Sequence, residues 1–269
     1  MKKVLLVGCG HMGSALLRAW ISISSIQISV IDPHKYLKIK KKYSNKILIY
    51  KSLNEIKNLN YFHIIIFAVK PQIAKSIIDQ FQSVNKINML FLSVMAGKKI
   101  NFFEKNLNKS IQIVRAMPNM PAFVNKGMTC LISNKNVSKI NKNIAGNLFK
   151  NVGKILWLKK EGDIDKVTAI SGSGPGYFFL FVEHLLSESL KLGLNLEKVK
   201  LLIYQTAIGS IDLLINSNLT PKQLRKSIAI KGGTTEAAIN VFEKNKKLKK
   251  LIHNAIKAAY NKSKKLGDD

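Results

Sequence analysis

The chain has 269 residues, of which 46% are hydrophobic, and its formal net charge is +29. This length suffices for one large domain or two ordinary ones with sizeable cores. Such a charge is common in proteins that bind nucleic acids, but only Arg18, Arg115 and Arg225 are arginine among the 44 basic residues. Arginine makes most of the bidentate contacts to bases and phosphates. The composition therefore argues against specific nucleic-acid binding.

The sequence predicts neither a membrane span nor a secretory signal. No apolar run is expected to reach membrane-spanning length, and the first residues lead directly into a strand pattern. Cys9 and Cys130 both lie in short apolar segments, which is not the pattern of a disulfide framework. The histidines and cysteines lack the spacing of metal ligands. We therefore expect a cytoplasmic protein with no membrane partner and no metal site.

A glycine-rich turn follows the first predicted strand, residues 3–7. Residues 8–13 read G-C-G-H-M-G, and residues 14–20 have the pattern of a helix. A G-x-G-x-x-G turn between a strand and a helix is typical of dinucleotide-binding proteins. The first glycine makes the tight turn, the second admits a pyrophosphate, and the third allows close packing of helix and strand. The turn therefore predicts a dinucleotide cofactor bound by Gly8, Gly10, His11, Met12 and Gly13.

The second predicted strand, residues 27–31, ends at Asp32, which we also assign to the cofactor site. An acidic residue at this position commonly accepts a hydrogen bond from the ribose 2′-hydroxyl of NAD, whereas a basic site accommodates the 2′-phosphate of NADP. His34, Lys35 and Lys38 follow closely and have the charge to hold a phosphate. Because these lysines equally suit a solvated helix face, the choice between NADPH and NADH stays open.

The alternation of strands and helices continues to about residue 160 and predicts an α/β fold. The fourth strand is apolar throughout, as central parallel strands are. A short helix is predicted at 52–58 and a longer one at 136–150. Strand ends with small or unusual residues should gather at one edge of the sheet, where open α/β sheets bind ligands. The further strands are predicted at 46–50, 62–69, 89–95, 111–115, 128–132 and 154–158.

Beyond residue 162 only helical patterns remain, at about 163–170, 175–192, 196–216, 220–228 and 236–265. Residues 171–176 read S-G-S-G-P-G, and their three glycines and one proline predict a tight turn before the second of these helices. The free N–H groups of a helix start favour an anion. The helices are apolar over broad faces, which indicates that a second subunit covers part of them.

Six separated motifs, in this order, resemble the Δ1-pyrroline-5-carboxylate reductase family over nearly the whole chain. The first is shared by many dehydrogenases, whereas the last two together are specific to the family. The resemblance implies an N-terminal Rossmann-type domain, residues 1–160, and a C-terminal all-α dimerisation domain, residues 161–269. The motifs are V-G-C-G-H-M-G at 7–13, A-V-K-P at 68–71, S-V-M-A-G at 93–97, R-A-M-P-N-M-P-A at 115–122, T-A-I-S-G-S-G-P at 168–175 and G-G-T-T at 232–235.

The activity that the resemblance implies is hydride transfer from NADPH or NADH to the C=N carbon of 1-pyrroline-5-carboxylate, which gives L-proline. Thr206 would reach the ring nitrogen and Glu183 would lie near the site. The substrate carboxylate would be held by Ser171, Gly172, Ser173, Gly174, Gly232, Gly233, Thr234 and Thr235. The cofactor would also contact Ala68, Val69, Lys70, Pro71, Ala96, Gly97 and Asn119. The active unit would be at least a homodimer, with the substrate site near its seam.

Two departures and several alternatives accompany this interpretation. The family has serine and proline where this chain has Ile230 and Lys231, and alanine where it has Gly176. Thr206 could instead bond back to a helix carbonyl, and Glu183 could be a solvated or ion-paired residue. The β-hydroxyacid dehydrogenases have a similar two-domain build, but their lysine-x-x-asparagine-asparagine helix has no match here. A nucleotide-binding regulatory protein without activity is the other alternative.

Overall fold

The computed structural model describes residues 1–84, 88–107 and 109–268, and the chain forms two compact units. The first, which we call the sheet unit, comprises Met1–Pro175 together with Ala259–Asp269. The second, the helical unit, comprises Gly176–Ala258. The compact units thus divide later in the chain than the predicted domains, 1–160 and 161–269, and the last residues return to the sheet unit. The predicted domain boundary stays a prediction.

The sheet unit is built on one eight-stranded sheet with the strand order β3-β2-β1-β4-β5-β6-β7-β8. Strands β1 to β6 run parallel, whereas β7 is antiparallel to β6 and parallel to β8. The strand order reverses between β1 and β4, where a crevice opens at the carboxyl ends of the strands. The strands are β1 Lys2–Val7, β2 Ile26–Ile31, β3 Leu48–Tyr50, β4 Ile64–Phe67, β5 Leu90–Ser93, β6 Gln112–Met117, β7 Gly127–Ser133 and β8 Gly153–Trp157.

Helices and single 3₁₀ turns connect these strands, which confirms the predicted α/β class. The predicted helix at 52–58 is wrong, because Ile56 is extended and separates two 3₁₀ turns, the second capped by the Asn58 side chain. Helix 136–150 is confirmed with a later start, after the N-cap Ser138. The helices before residue 168 are α1 His11–Trp20, α2 Tyr36–Tyr43, α3 Ala74–Ile78, α4 Ile100–Asn106, α5 Lys139–Lys150 and α6 Asp163–Val167.

The core of the sheet unit lies on both faces of the sheet. Along β1, Val4 and Leu6 point into one apolar cluster with Trp20, while Leu5 and Val7 point into the other. Side chains alternate across a strand, so a central strand with helices on both faces must be apolar at every position. Burial of each such side chain contributes about 1.5–3 kcal/mol. The sheet is therefore a stable base for the loops at its carboxyl edge.

The segment predicted as a tight turn at 171–176 is helical instead, so that prediction is wrong. Helix α6 passes into a π-helical turn, Thr168–Gly172, and after Ser173 the chain enters α7, Gly174–Leu190. The Ser173 N–H donates to the Thr168 carbonyl five residues back, at 2.8 Å. The hydroxyls of Thr168 and Ser171 bond back to carbonyls four residues earlier. These bonds keep the chain helical although glycines are frequent in it.

The helical unit contains most of α7 and the helices that follow it, and two predictions about it need correction. The single helix predicted at 236–265 is broken at Lys244–Lys246, where Asn245 and Lys246 have a φ of 57°. Contrary to expectation, α8 has the length and apolar composition of a membrane span, although it carries charged residues. The helices are α8 Leu196–Asn216, α9 Pro221–Ile228, α10 Thr234–Glu243 and α11 Lys247–Asp268, whose end lies in the sheet unit.

Candidate active site

Two glycines of the turn after β1 are required by the packing of the chain itself. Gly8 has a φ of +92°, and a Cβ there would lie 2.8 Å from the carbonyl oxygen of Ala68. A Cβ at Gly13 would lie only 2.3 Å from the carbonyl oxygen of Gly8. No side chain fits at either place. The start of α1 is therefore held directly behind the end of β1.

Gly10 differs from these two glycines because the space in front of it is open. Among the described residues, no atom other than those of its chain neighbours lies within 4 Å of the position that a Cβ would take, and Gly10 is the N-cap of α1. The first turn of α1 carries no acidic residue and Gly10 offers no side-chain cap. The N-terminus of a ten-residue helix thus faces a space that a pyrophosphate would fill. The residues present fit a dinucleotide, with His11 exposed and Met12 half-buried beside this space.

Asp32 fixes the glycine turn from the end of β2. It is buried, and its Oδ2 accepts a hydrogen bond from the Cys9 N–H at 2.7 Å. Its Oδ1 accepts from the N–H groups of His34 and Lys35 at 3.0 and 2.9 Å. Both carboxylate oxygens therefore have backbone donors, which the sequence pattern did not reveal. A bond from Asp32 to a ribose hydroxyl stays a prediction.

The Cys9 thiol in this turn has no catalytic character. Burial raises its pKa, and the hydrogen bond with Ser14 only partly opposes that rise. The Sγ of Cys9 lies 3.4 Å from the Ser14 Oγ, which in turn donates to the Cys9 carbonyl. A thiol with a raised pKa stays protonated at neutral pH and is a poor nucleophile. The turn is therefore a binding element only.

The loops after β4 and β5 lie at the same edge of the sheet as the glycine turn. Ala68 donates its N–H to the Val7 carbonyl at 2.8 Å, and a Cβ on Gly8 would meet Val69. Lys70 is exposed and precedes the 3₁₀ turn Pro71–Ile73. The structure thus brings Ala68 and Val69 against the glycine turn, with Lys70 and Pro71 following directly. A direct contact of each with the cofactor stays a prediction.

Gly97, after β5, must be glycine because of a contact with a residue near the other end of the sequence. Its φ is +77°, and a Cβ would lie 2.3 Å from the carbonyl oxygen of Leu266 near the end of α11. Nearby, the Ser263 Oγ donates to Asp165 at 2.7 Å. The end of α11 therefore covers the loop of Ala96 and Gly97. Sequence reasoning missed this contact because nothing local to either segment indicates it.

A cavity of about 160 Å³ lies beside this loop, within the sheet unit. It is lined by Ala96 and Gly97, which are predicted to contact the cofactor, and by Ser173, which is predicted to contact the substrate. Thr168 and Lys262 add polar groups to its wall. The larger cavity, of about 360 Å³, lies in the helical unit and has mainly apolar walls without any predicted site residue. We regard the smaller cavity as part of the site.

The loop after β6 connects to the π turn through Asn119. The Asn119 Nδ2 donates to the Ser171 carbonyl at 2.9 Å, and its Oδ1 accepts from the Met128 N–H at 2.8 Å. Burial raises the pKa of the Cys130 thiol, and a hydrogen bond with Ser171 acts in the opposite direction on that pKa. The Ser171 Oγ also donates to the Val167 carbonyl. Ser171 is thus strongly bound within the protein, and its contact with substrate stays a prediction.

Arg115 is buried and forms an ion pair with the half-buried Glu161, to which the sequence analysis did not assign any role. Its guanidinium contacts the carboxylate of Glu161, which also accepts from the Ile100 N–H at the start of α4. Arg115 is 6% exposed. The pair joins β6, α4 and the segment before α6 beneath the small cavity. An arginine inside a largely apolar strand was the sequence signal for it.

The remaining predicted substrate residues belong to the helical unit. Thr206 is exposed on α8 and Glu183 is exposed on α7. Gly233 is the N-cap of α10, where Thr234 and Thr235 begin the helix. The N–H of Gly232, whose φ is +78°, donates to the Glu236 carboxylate at 2.8 Å. Glu236, which sequence reasoning missed, therefore occupies an N–H that we had assigned to the substrate carboxylate.

The parallel sheet, the glycine turn and the open space before α1 define a dinucleotide-binding protein of Rossmann type. Residues 161–266 match the family model for pyrroline-5-carboxylate reductase dimerisation, and residues 3–97 match that for NADP oxidoreductase, coenzyme F420-dependent. The pyrroline-5-carboxylate reductase of Pseudomonas aeruginosa is 34% identical, over 99% of this chain and 97% of that protein. The chain belongs to the pyrroline-5-carboxylate reductase family.

Solved structures agree with this assignment. A Plasmodium falciparum pyrroline carboxylate reductase with NADP bound has a TM-score of 0.86 and 33% identity, covering 99% of this chain and 98% of that one. A pyrroline-5-carboxylate reductase from Coxiella burnetii has a TM-score of 0.87 and 32% identity, covering 98% of this chain and 97% of that one. The likeness therefore extends over both units.

The open space at Gly10 gives a direct test of the cofactor site. Gly10→Val should fold, because no described atom beyond the chain neighbours lies within 4 Å of the added Cβ. It should weaken NADPH binding at least about tenfold, or about 1.4 kcal/mol, because the side chain fills the pyrophosphate space. Gly162→Val is the matched control, since its Cβ position is equally open. Fluorescence titration with NADPH measures both, and unchanged affinity in a folded Gly10→Val protein would contradict the assignment.

Proposed function

We propose that this protein reduces 1-pyrroline-5-carboxylate to L-proline with NADPH as the hydride donor. The observation that carries the proposal is the end-to-end similarity, in sequence and in fold, to pyrroline-5-carboxylate reductases, one of them solved with NADP bound. The glycine turn and the open space before α1 agree with a dinucleotide in this chain. The proposed reaction needs no metal ion.

The reaction requires little chemistry from protein side chains. When bound, the reduced nicotinamide supplies a hydride, that is, a proton with two electrons. The imine carbon of the substrate gains that hydride, its C=N bond becomes single, and the nitrogen carries a proton taken from solvent. The chain's own task is then to orient the ring and to hold its carboxylate. A site with few ionisable side chains suits this task.

The surroundings of Asp32 support NADPH over NADH. Both oxygens of its carboxylate accept hydrogen bonds from backbone N–H groups, so the ribose 2′-hydroxyl competes with donors already in place. His34 and Lys38 are exposed just beyond it, and Lys35 is half-buried. Positive side chains at this place favour a 2′-phosphate. We therefore expect NADPH to be the better donor.

The substrate residues are proposed from their match to the family motifs. Ser171, Gly172, Ser173 and Gly174, together with Gly233, Thr234 and Thr235, would hold the carboxylate through backbone N–H groups and hydroxyls. Gly232, whose N–H donates to Glu236, would instead shape the turn that presents them. Thr206 would hydrogen-bond the ring nitrogen, and Glu183 would lie close to it. The exposure of Thr206 and Glu183 in the single chain leaves their side chains accessible to a ligand.

We further propose a cytoplasmic homo-oligomer built from dimers. All 21 residues of α8 are described, and only Val199 is buried among them. Phe178 on α7 is 64% exposed and Leu201 on α8 is 70% exposed. Apolar surface of this extent is typical of subunit interfaces. A second copy that covers α8 also accounts for its apolar composition without a membrane. Cys9 and Cys130 are free, as expected in a reducing compartment.

A turnover assay tests the reaction itself. The purified protein should consume NADPH and form L-proline when 1-pyrroline-5-carboxylate is added, and NADH should support a lower kcat/KM. A β-hydroxyacid dehydrogenase would instead oxidise β-hydroxyacids with NADP. A regulatory protein would bind the nucleotide without turnover. Chromatographic detection of proline, with both donors compared side by side, separates these three outcomes.

Thr206→Val tests the proposed hydrogen bond to the ring nitrogen. The variant keeps the shape of the side chain and removes its donor and acceptor, which should cost about 1.5–3 kcal/mol. The expected loss in kcat/KM for the imine is roughly 10- to 150-fold, with unchanged NADPH affinity. Ser210→Ala removes a hydroxyl one turn further along α8 and serves as the control. If the Thr206→Val variant kept the wild-type kcat/KM, Thr206 would have only a packing role.

The proposed interface is tested by a charge on α8. Ile211→Glu should dissociate the dimer, because an unpaired buried charge costs on the order of 3 kcal/mol, or about 100-fold in the dimer dissociation constant. Leu156→Glu on β8 is the control, since Leu156 is 47% exposed and Ile211 is 45% exposed. Sedimentation velocity at assay concentration measures the change. A fully active wild-type monomer would refute the proposed assembly.

A further inference from the structure

The helical run from α6 to α7 contains a residue that lacks a backbone N–H. Pro175 lies four residues after Ser171, which is the spacing of an α-helical hydrogen bond. Since proline has no N–H, the Ser171 carbonyl receives no bond from that position. The carbonyl lies in a half-buried segment, where an unpaired acceptor is costly. A donor from elsewhere is therefore needed at this place.

Asn119 provides that donor from the loop after β6. Its Nδ2 lies 2.9 Å from the Ser171 carbonyl oxygen. The orientation of the amide is fixed on its other side, because the Oδ1 accepts from the Met128 N–H at 2.8 Å. Asn119 is 9% exposed and has an extended backbone, so its side chain is held in place.

A second contact joins the same two segments. A Cβ on Gly172 would lie 3.1 Å from the Cε of Met117, the last residue of β6. The π turn thus packs on the end of β6 at Gly172 and is hydrogen-bonded to the following loop at Ser171. Both contacts lie within the sheet unit. Together they fix the segment from Ser171 to Ser173, which borders the small cavity beside Gly97.

We propose that Asn119 is a positioning residue that acts through Ser171 and compensates for the N–H that Pro175 lacks. This inference rests on the proposed function, in which Ser171, Gly172 and Ser173 hold the substrate carboxylate. Asn119 and Pro175 then form a matched pair. The proline removes a helix hydrogen bond, and the asparagine ties the freed carbonyl to the sheet. The predicted contact of Asn119 with the cofactor stays a prediction, which the KM for NADPH tests below.

Asn119→Asp removes the hydrogen bond from the Asn119 side chain to the Ser171 carbonyl. The variant keeps an acceptor for the Met128 N–H and nearly the same volume, but it replaces the donor to Ser171 by a carboxylate oxygen. The KM for 1-pyrroline-5-carboxylate should rise about tenfold or more, since a hydrogen bond is lost and two acceptors then face each other. The KM for NADPH should change less than about twofold. Asn151→Asp is the matched control, because the Asn151 Nδ2 makes the same kind of bond at an exposed site.

Pro175→Ala supplies the decisive comparison, since it returns an N–H four residues after Ser171. In the double variant Asn119→Asp with Pro175→Ala, the KM for the imine should fall back to within about threefold of the Pro175→Ala value. The free energy of unfolding in urea should recover in parallel. Pro121→Ala, a proline in the same loop as Asn119, should give no recovery.

The outcomes separate the inference from the proposed function. An Asn119→Asp protein with a raised KM for NADPH and no recovery in the double variant would overturn the inference. The inference would also be overturned if the double variant recovered its stability but the KM for the imine was unchanged in every variant. Asn119 would then have only a structural role. If Asn119→Asp fails to fold, folding of the double variant supports the inference and its failure to fold contradicts it. Absence of turnover in the wild type counts against the proposed function alone. The free energies of unfolding in urea still test whether the N–H restored by Pro175→Ala can replace the Asn119 donor.

Discussion

The close approach of α1 to the end of β1 is the constraint on which the site depends. A Cβ at Gly13 would lie 2.3 Å from the Gly8 carbonyl oxygen, so only glycine allows this distance. The approach places the first turn of α1 at the carboxyl edge of the sheet, where the strand order reverses. Moving α1 outward by the width of a methyl group would displace Gly10 from the crevice.

Asp32 shows how one sequence signal can serve two kinds of chemistry. An acidic residue at the end of β2 is the usual sign of a ribose contact. In this chain the carboxylate accepts three backbone N–H groups, one of them from Cys9 in the glycine turn. Its charge thereby stabilises the loop that presents α1 to a phosphate, and its bond to the sugar stays a prediction. A carboxylate so fully bonded agrees with a cofactor whose ribose carries a phosphate instead of a hydroxyl.

The features that could be predicted from the sequence are those encoded locally. The strands are short apolar runs, and the glycine turn is six adjacent residues, so both were found. The pairs Arg115–Glu161 and Asn119–Ser171 join residues 46 and 52 positions apart, and no local pattern indicates them. The same holds for Gly97 and Leu266. The antiparallel direction of β7 is likewise set by tertiary pairing rather than by its own residues.

The error at residues 171–176 has a different origin. Glycine and proline are turn formers in isolation, and their density predicted a turn. The hydrogen bond from Ser173 to Thr168 and the hydroxyls of Thr168 and Ser171 keep the segment helical. The π turn that results has one residue more than an α-helical turn, and such turns often occur at functional sites. The composition was thus informative about the importance of the segment but not about its conformation.

The two units differ in how they obtain stability. The sheet unit has two buried apolar clusters, one on each face of the sheet. In the helical unit, α8 buries only Val199 in the single chain, while Phe178 and Leu201 remain mostly exposed. Each such side chain contributes about 1.5–3 kcal/mol only when a partner surface removes it from water. If a second copy covers α8, as proposed above, association stabilises the helical unit, and its stability then rises with protein concentration. Under the proposed assembly, an enzyme with few reacting side chains would still depend on its partner, because the partner surface would hold α8 and the residues on it, Thr206 among them, in place.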